Sequence, residues 1–146
     1  MTRNPWLVIA GLLSAAAALL HLAVIAGGPD WYRFFGAGEE MARMAEQGRL
    51  TPHIITLGIA LLLAIWAAYA FAGAGLVRRL PLMRTALVAI SAIYLLRGVV
   101  IVPALLQVPG MSNSFTLWSS AIVMVYALAY AIGTWRAWAA LSKGPA

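Results

Sequence analysis

The side chains able to do acid–base or ion chemistry are few, and they stand in or beside stretches that carry almost no other charge: His21, Glu39, Glu40, His53 and Arg97. Arg97 is the most demanding of them. It lies in the third of four apolar stretches, following Ser91 and Tyr94 at three-residue intervals. A guanidinium keeps its proton, so in hydrocarbon it needs a carboxylate, backbone carbonyls, water or a bound anion. No acid occurs inside any of the four stretches. Three arrangements answer that need. Glu39 or Glu40 folds down from the preceding loop and pairs with Arg97. Alternatively, the planar fork holds a lipid headgroup, carboxylate or phosphate through two parallel hydrogen bonds. In the third arrangement the side chain snorkels to the membrane surface.

His21 and His53 offer either a metal or haem pair, a proton relay with Glu39 and Arg97, or plain helix-contact hydrogen bonds to serine and tyrosine. Their spacing is neither HxxxH nor HxxE, and the chain has no cysteine. No metal site is therefore expected, and thiol redox chemistry and disulfides are excluded. Ser119 falls just inside the outer boundary on the fourth stretch, which completes a candidate ligand-binding set of Arg97, His21, His53, Glu39, Glu40, Tyr94 and Ser119. No motif assigns a catalytic residue or a cofactor. Asp30 reads as a helix cap, and the GAG triplets at Gly36–Gly38 and Gly73–Gly75 as turns or close-packing sites rather than a phosphate-binding loop.

The elements that position these residues are legible from composition. Of 146 residues 64% are hydrophobic and 10% charged, with mean hydropathy +0.91, far from the quarter or so of charged residues typical of soluble domains. Residues 6–25, 54–76, 85–106 and 115–135 are each about long enough to cross a bilayer core. The fold class is thus all-α: one transmembrane domain, 1–146, forming an integral membrane four-helix bundle. The first stretch follows Arg3 like a secretory signal, but its apolar run exceeds a usual signal core, so it is read as a retained span.

The loop of residues 26–52 is long for a helix connection and is read as an organised cap. Gly27, Gly28 and Pro29 break the first span, and a short turn follows through Trp31 and Phe35. Residues 39–47 then form a short amphipathic helix with Met41, Met44 and Ala45 on one side. Pro52 is tolerated at the start of the second span. Pro81 prevents a continuous helix between spans two and three, Pro103 and Pro109 end the third, and Ser112 or Asn113 caps the fourth. Trp6, Trp31, Trp118, Trp135 and Trp138 fall near the interfaces, where tryptophan anchors spans.

Charge gives the orientation. Arg3, Arg78, Arg79, Arg84, Arg136 and Lys143 flank the spans at one end, whereas all four acids, Asp30, Glu39, Glu40 and Glu46, lie in the cap with Arg33, Arg43 and Arg49. The positive-inside rule then puts both termini in the cytoplasm and the cap outside. The net charge of +6 follows this topology and does not imply nucleic acid.

Small or polar residues recur at helical spacing along each span and mark the faces expected to meet: Gly11, Ser14, Ala18 and His21; Gly58, Leu62, Trp66, Tyr69 and Gly73; Ser91, Tyr94 and Arg97; Thr116, Ser119, Tyr126, Tyr130 and Gly133. A rise of 1.5 Å per residue places Arg97 about 18 Å and His21 about 22 Å from the inner edge of a roughly 30 Å core, both in the outer half.

The string GGPDWYRFFGAGEEMA after a histidine-bearing first span, together with GAGLVRRLPLMR and IYLLRG, resembles small uncharacterised four-span inner-membrane proteins of Gram-negative bacteria over nearly the whole chain. The resemblance implies an inner-membrane location and this architecture, but no activity. Small multidrug transporters need an acid in the first span, and quinone-linked thiol oxidoreductases need cysteines, so neither fits. The expectation is a bundle that binds an apolar or amphipathic ligand, or an accessory subunit of a larger membrane complex or homo-oligomer in contact with membrane lipids. The alternatives are an enzyme acting on a lipid or quinone-like substrate, with Glu39 or Glu40 and His21 or His53 as acid and base, and a small transporter whose inner pathway Tyr69 and Tyr130 would line.

Overall fold

In a computed structural model, which describes residues 3–109 and 114–142, the chain is all-helical. Four helices are long and apolar enough to cross a membrane: α1 (Pro5–Gly27), α4 (Thr51–Gly73), the segment Met83–Pro103 and α7 (Ser114–Leu141). Two short helices, α2 (Pro29–Phe34) and α3 (Glu39–Glu46), form the expected cap, with the amphipathic helix in place. Ser112, Asn113 and Lys143 lie outside the described residues.

Helix ends follow local chemistry. Asn4 caps α1, its side-chain oxygen accepting from the backbone N–H of Trp6 (3.1 Å) and Leu7 (3.3 Å), with Pro5 at the first helical position. The same amide donates to the Gly133 carbonyl at 2.7 Å, which fixes the start of α1 against α7. Asp30 is not the cap of α2. Gly28 holds that position without a side-chain bond, and Asp30 sits in the first turn beside the exposed N–H groups.

The third span is two helices rather than one. The helix α5 (Met83–Val99) stops at Val100, and α6 (Ile101–Leu105) contains Pro103. Pro103 has no N–H to give the Val99 carbonyl four residues earlier, and its ring crowds that carbonyl, so the break falls where the chemistry requires. The fourth span runs on to Leu141 because RAWAAL contains no helix breaker.

The chain forms two compact units, Met1–Leu13 with Trp66–Ala146, and Ser14–Ile65. In the first, α5 and α7 pack side by side and α6 also meets α7. Glycines set the approach. A Cβ on Gly98 would lie 3.1–3.2 Å from Met124, backbone included, and one on Gly133 would lie 2.8–3.0 Å from Leu7, again including backbone. In the second unit α2 packs on α3 around Val24, Tyr32 and Ala42, with Phe35, Met41 and Ala45 against them.

The inward faces need one correction. Gly11, Ser14 and Ala18 of α1 are buried as expected, but on α4 Gly58 and Leu62 are exposed. The buried line there is Thr56, Ala60, Leu63, Ala67 and Ala70. Lipid is as apolar as leucine, so contact follows side-chain size more than polarity, and alanine serves as well as glycine. Outward faces carry large apolar groups such as Leu19 at 66% and Leu96 at 74% exposure, as spans in lipid require.

Candidate functional site

Arg97 lies near the end of α5, one residue before Gly98, whose missing side chain lets α5 press on Met124 of α7. Tyr94 and Gly98 take the buried positions, so Arg97 is exposed at the edge of the contact rather than inside it. Its long stem brings the guanidinium back onto α7. Nη1 donates to Ser120 Oγ at 2.8 Å and Nη2 to Ser119 Oγ at 2.9 Å. Ser120 is fully buried, while Ser119 in turn donates to the Thr116 carbonyl at 3.4 Å. A guanidinium has five N–H donors, and among the described residues these two serines are its only partners. Hydroxyls orient the fork and leave its charge in place.

Glu39 and Glu40 are engaged within the cap. Arg33 grips the Glu39 carboxylate with Nε and Nη2, both at 2.9 Å, and also reaches Glu46 at 2.7 Å and Asp30 at 3.4 Å. Glu40 stands 4.0 Å from Arg43. Hydrogen bonding to Arg33 pulls the Glu39 carboxyl below its ordinary pKa, and the bonds to Glu39 and then Glu46 hold Arg33 protonated even more firmly than usual. Arg33 is thus the hub of a three-carboxylate network exposed to solvent, and a partner for all four acids exists inside residues 30–46.

The histidines differ. The Nδ1 of His21 lies 2.7 Å from the Ala17 carbonyl, which can only accept, so Nδ1 carries a hydrogen. His53 is partly buried, its Nδ1 has no partner among the described residues, and its ring stands edge-on to Tyr32 with centroids 6.0 Å apart. Tyr32 is fully buried, and among the same residues its hydroxyl has no partner either. The cap therefore covers two unsatisfied polar atoms, one of them on a tyrosine that the spacing of the sequence did not single out. Leaving such a hydroxyl unpaired costs about 1–3 kcal/mol.

Tyr94 belongs to an aromatic cluster. Its ring contacts Trp66 edge-on at 5.0 Å and both Tyr126 and Tyr130 at 5.3 Å between centroids. The Tyr130 hydroxyl donates to the Trp66 carbonyl at 3.0 Å and the Tyr69 hydroxyl to the Pro81 carbonyl at 3.2 Å, so both tyrosines expected along an inner pathway tie elements together. Sequence depth pointed to Ser119 but not to its neighbour Ser120, which is the more deeply buried of the two. Among the described residues no three metal-ligating side chains come together. No family model, curated protein or solved structure matches the chain, so its function has to be argued from these contacts.

Proposed function

We propose that the chain is a multi-pass protein of the bacterial inner membrane that binds an anionic amphiphile, headed by a phosphate or carboxylate, on the α5–α7 face through Arg97. One observation carries this reading: an exposed guanidinium, aimed by two adjacent serines, has three N–H donors without a partner among the described residues and belongs to a unit whose sequence contains no acidic side chain. Arg97 is six residues from Pro103, the end of its span, or about 9 Å along a helix, within the reach of a headgroup met by a long side chain. Leu96 at 74% and Trp118 at 73% exposure, each adjacent in sequence to the polar group, offer apolar surface for an acyl chain. The charge distribution supports an orientation with the arginine-rich end in the cytoplasm and the cap outside.

The test is native mass spectrometry of full-length protein in neutral detergent with phosphatidylglycerol or phosphatidylcholine added. Phosphatidylglycerol should be retained about tenfold better, consistent with one charge-assisted bidentate contact, and Arg97→Gln should abolish the preference. Arg97→Lys should keep only part of it, because an ammonium lacks the fork. Equal retention of the two lipids by wild type would sink the proposal. Recovery from the membrane of a partner chain that dissociates only in Arg97→Gln would replace it with an accessory-subunit role.

A further inference from the structure

The cap carries large apolar side chains that its own core does not use. Tyr32 of α2 packs inward with Val24 and Ala42, and the amphipathic α3 turns Met41 and Ala45 to the same core. Trp31 and Phe34 stay outside it, Phe34 at 78% exposure. Spacings of three and four residues put both of them, with the partly buried Phe35, on one face of α2. The rings form one patch: Phe35 meets Trp31 at 5.6 Å and Phe34 at 5.0 Å between centroids. Asp30 and Arg33, also three apart, carry the polar side of the same helix, where Arg33 holds Glu39 and Glu46. The short helix is thus divided lengthwise into an aromatic face and a charged one.

We infer that this aromatic face is a membrane-docking surface, seated among the headgroups and upper acyl chains of the leaflet on the cap's side. Continuity with α1 fixes the occupant as lipid. Trp31 lies flush on Gly27, the last residue of α1, where a Cβ would come within 2.2–2.4 Å of the indole ring. The 23 residues of α1 cover about 35 Å against a hydrocarbon core of roughly 30 Å, so the helix reaches headgroup depth. Tryptophan is favoured at that depth because its ring is apolar and its N–H is not. Leu19 and Leu22 of α1 are exposed toward lipid below the patch. At the other end of the cap, Leu50 and Ile54 are exposed at the start of α4, so both passages between span and cap are bordered by apolar surface. Asp30 stays exposed, so α2 lies along the interface with one side in lipid and one in water. Docking of this kind needs only that α1 and α4 cross the bilayer, and neither Arg97 nor an anionic lipid takes part in it.

The chain has no cysteine, so a cysteine introduced at one position takes a single nitroxide label. Full-length Phe34→Cys and Glu40→Cys, labelled and reconstituted in phosphatidylcholine vesicles, are compared by power-saturation electron paramagnetic resonance with oxygen, which partitions into lipid, and a water-soluble nickel chelate. The label at position 34 should collide mainly with oxygen, at a depth of about 5–10 Å into the headgroup and acyl boundary, and the label at position 40 mainly with nickel. Equal nickel access at the two positions would overturn the inference. So would a label at position 34 shielded from both reagents, which would put a protein, such as a second copy of the chain, on this face instead. Hydrogen exchange of unlabelled protein in the same vesicles measures what the contact contributes. Phe34→Ser should speed exchange of the amides of residues 29–46 about tenfold, and Phe34→Trp should restore their protection. Unchanged exchange in Phe34→Ser would overturn the docking role, as would failure of Phe34→Trp to restore protection, since the ring contact with Phe35 would then account for the loss.

Discussion

The two units of this chain handle charge in opposite ways. In residues 14–65 two arginines face carboxylates: Arg33 binds Asp30, Glu39 and Glu46, and Arg43 faces Glu40. In the other unit three arginines face uncharged groups: Arg97 meets two serine hydroxyls, Arg79 a carbonyl, and Arg84 the face of Trp138. A carboxylate both orients and neutralises a guanidinium, whereas hydroxyls, carbonyls and rings only orient it. The cap's carboxylates thus answer Arg33 and Arg43, whereas Arg97 and Arg84, among the described residues, are oriented with no carboxylate beside them. Glycine divides along the same line. Gly28 and Gly38 of the cap turn the chain at φ +73° and +97° with open space beside them, while Gly98 and Gly133 let helices touch.

The largest effect should come from breaking that contact. Gly133→Leu pushes a side chain into Leu7, including its backbone nitrogen, and should cost about 1–3 kcal/mol or prevent folding. Gly58→Leu, where nothing lies within 4 Å, should leave stability unchanged. Unfolding in mixed detergent micelles, followed by helical circular dichroism, compares the two. Similar losses would mean that the glycines do not divide by role.

Arg97 sharpens the comparison of charges. Arg97→Gln keeps a donor for Ser120 and should change stability by less than about 1 kcal/mol while removing the phosphatidylglycerol preference, since the two serines hold the group without neutralising it. Arg33→Gln should do the reverse: it should loosen the cap, read by hydrogen exchange in residues 29–46, and leave lipid preference intact. If Arg97→Gln unfolds the protein as Gly133→Leu does, its charge is part of the scaffold.

How much of this was legible in the sequence depends on what each feature rests on. The spans and the cap helices follow from apolar run length and from Gly and Pro placement, and both appear where expected. The break at Val100 was marked by Pro103 four residues past Val99, a signal read only as an end of the span. The buried face of α4 was hidden because alanine carries it and hydropathy does not separate alanine from its larger neighbours. Arg97 stood out by type and its partner Ser119 by depth, but the rotation of α5 that leaves Arg97 exposed depends on Gly98 meeting Met124. Tyr32 gave no signal, since its burial comes from α3 folding over it and not from any local spacing.

Tyr32 supplies a smaller test. Removing a buried hydroxyl that has no partner among the described residues should be neutral or stabilising, so Tyr32→Phe should raise stability by up to about 1 kcal/mol in the same micelle assay. A loss of that size would instead mean that water or a ligand satisfies the Tyr32 hydroxyl and His53 Nδ1 beneath the cap. A deuterium-exchange difference confined to α2 and α3 would locate it.

The smallest effect is the pH response of the cap. Glu39 has its pKa lowered in the folded protein by hydrogen bonding to Arg33, so the folded state holds fewer protons on that group than the unfolded chain at mildly acidic pH. The stabilisation is therefore fully present above the unfolded carboxylate range, about 4.3 for glutamate, and is lost as pH falls below it toward the folded value. The group is exposed, so solvent screening keeps the contribution small. Hydrogen exchange of the α2 and α3 amides, corrected for intrinsic rates, should show the cap opening more readily below about pH 4, and Glu39→Gln should remove most of that change. Residues 83–99 and 114–141 contain no acid and should show no matching response over the same interval. A parallel response there would contradict the division drawn between a cap whose arginines pair with carboxylates and helices in which Arg97 and Arg84 meet hydroxyls, a carbonyl and a ring.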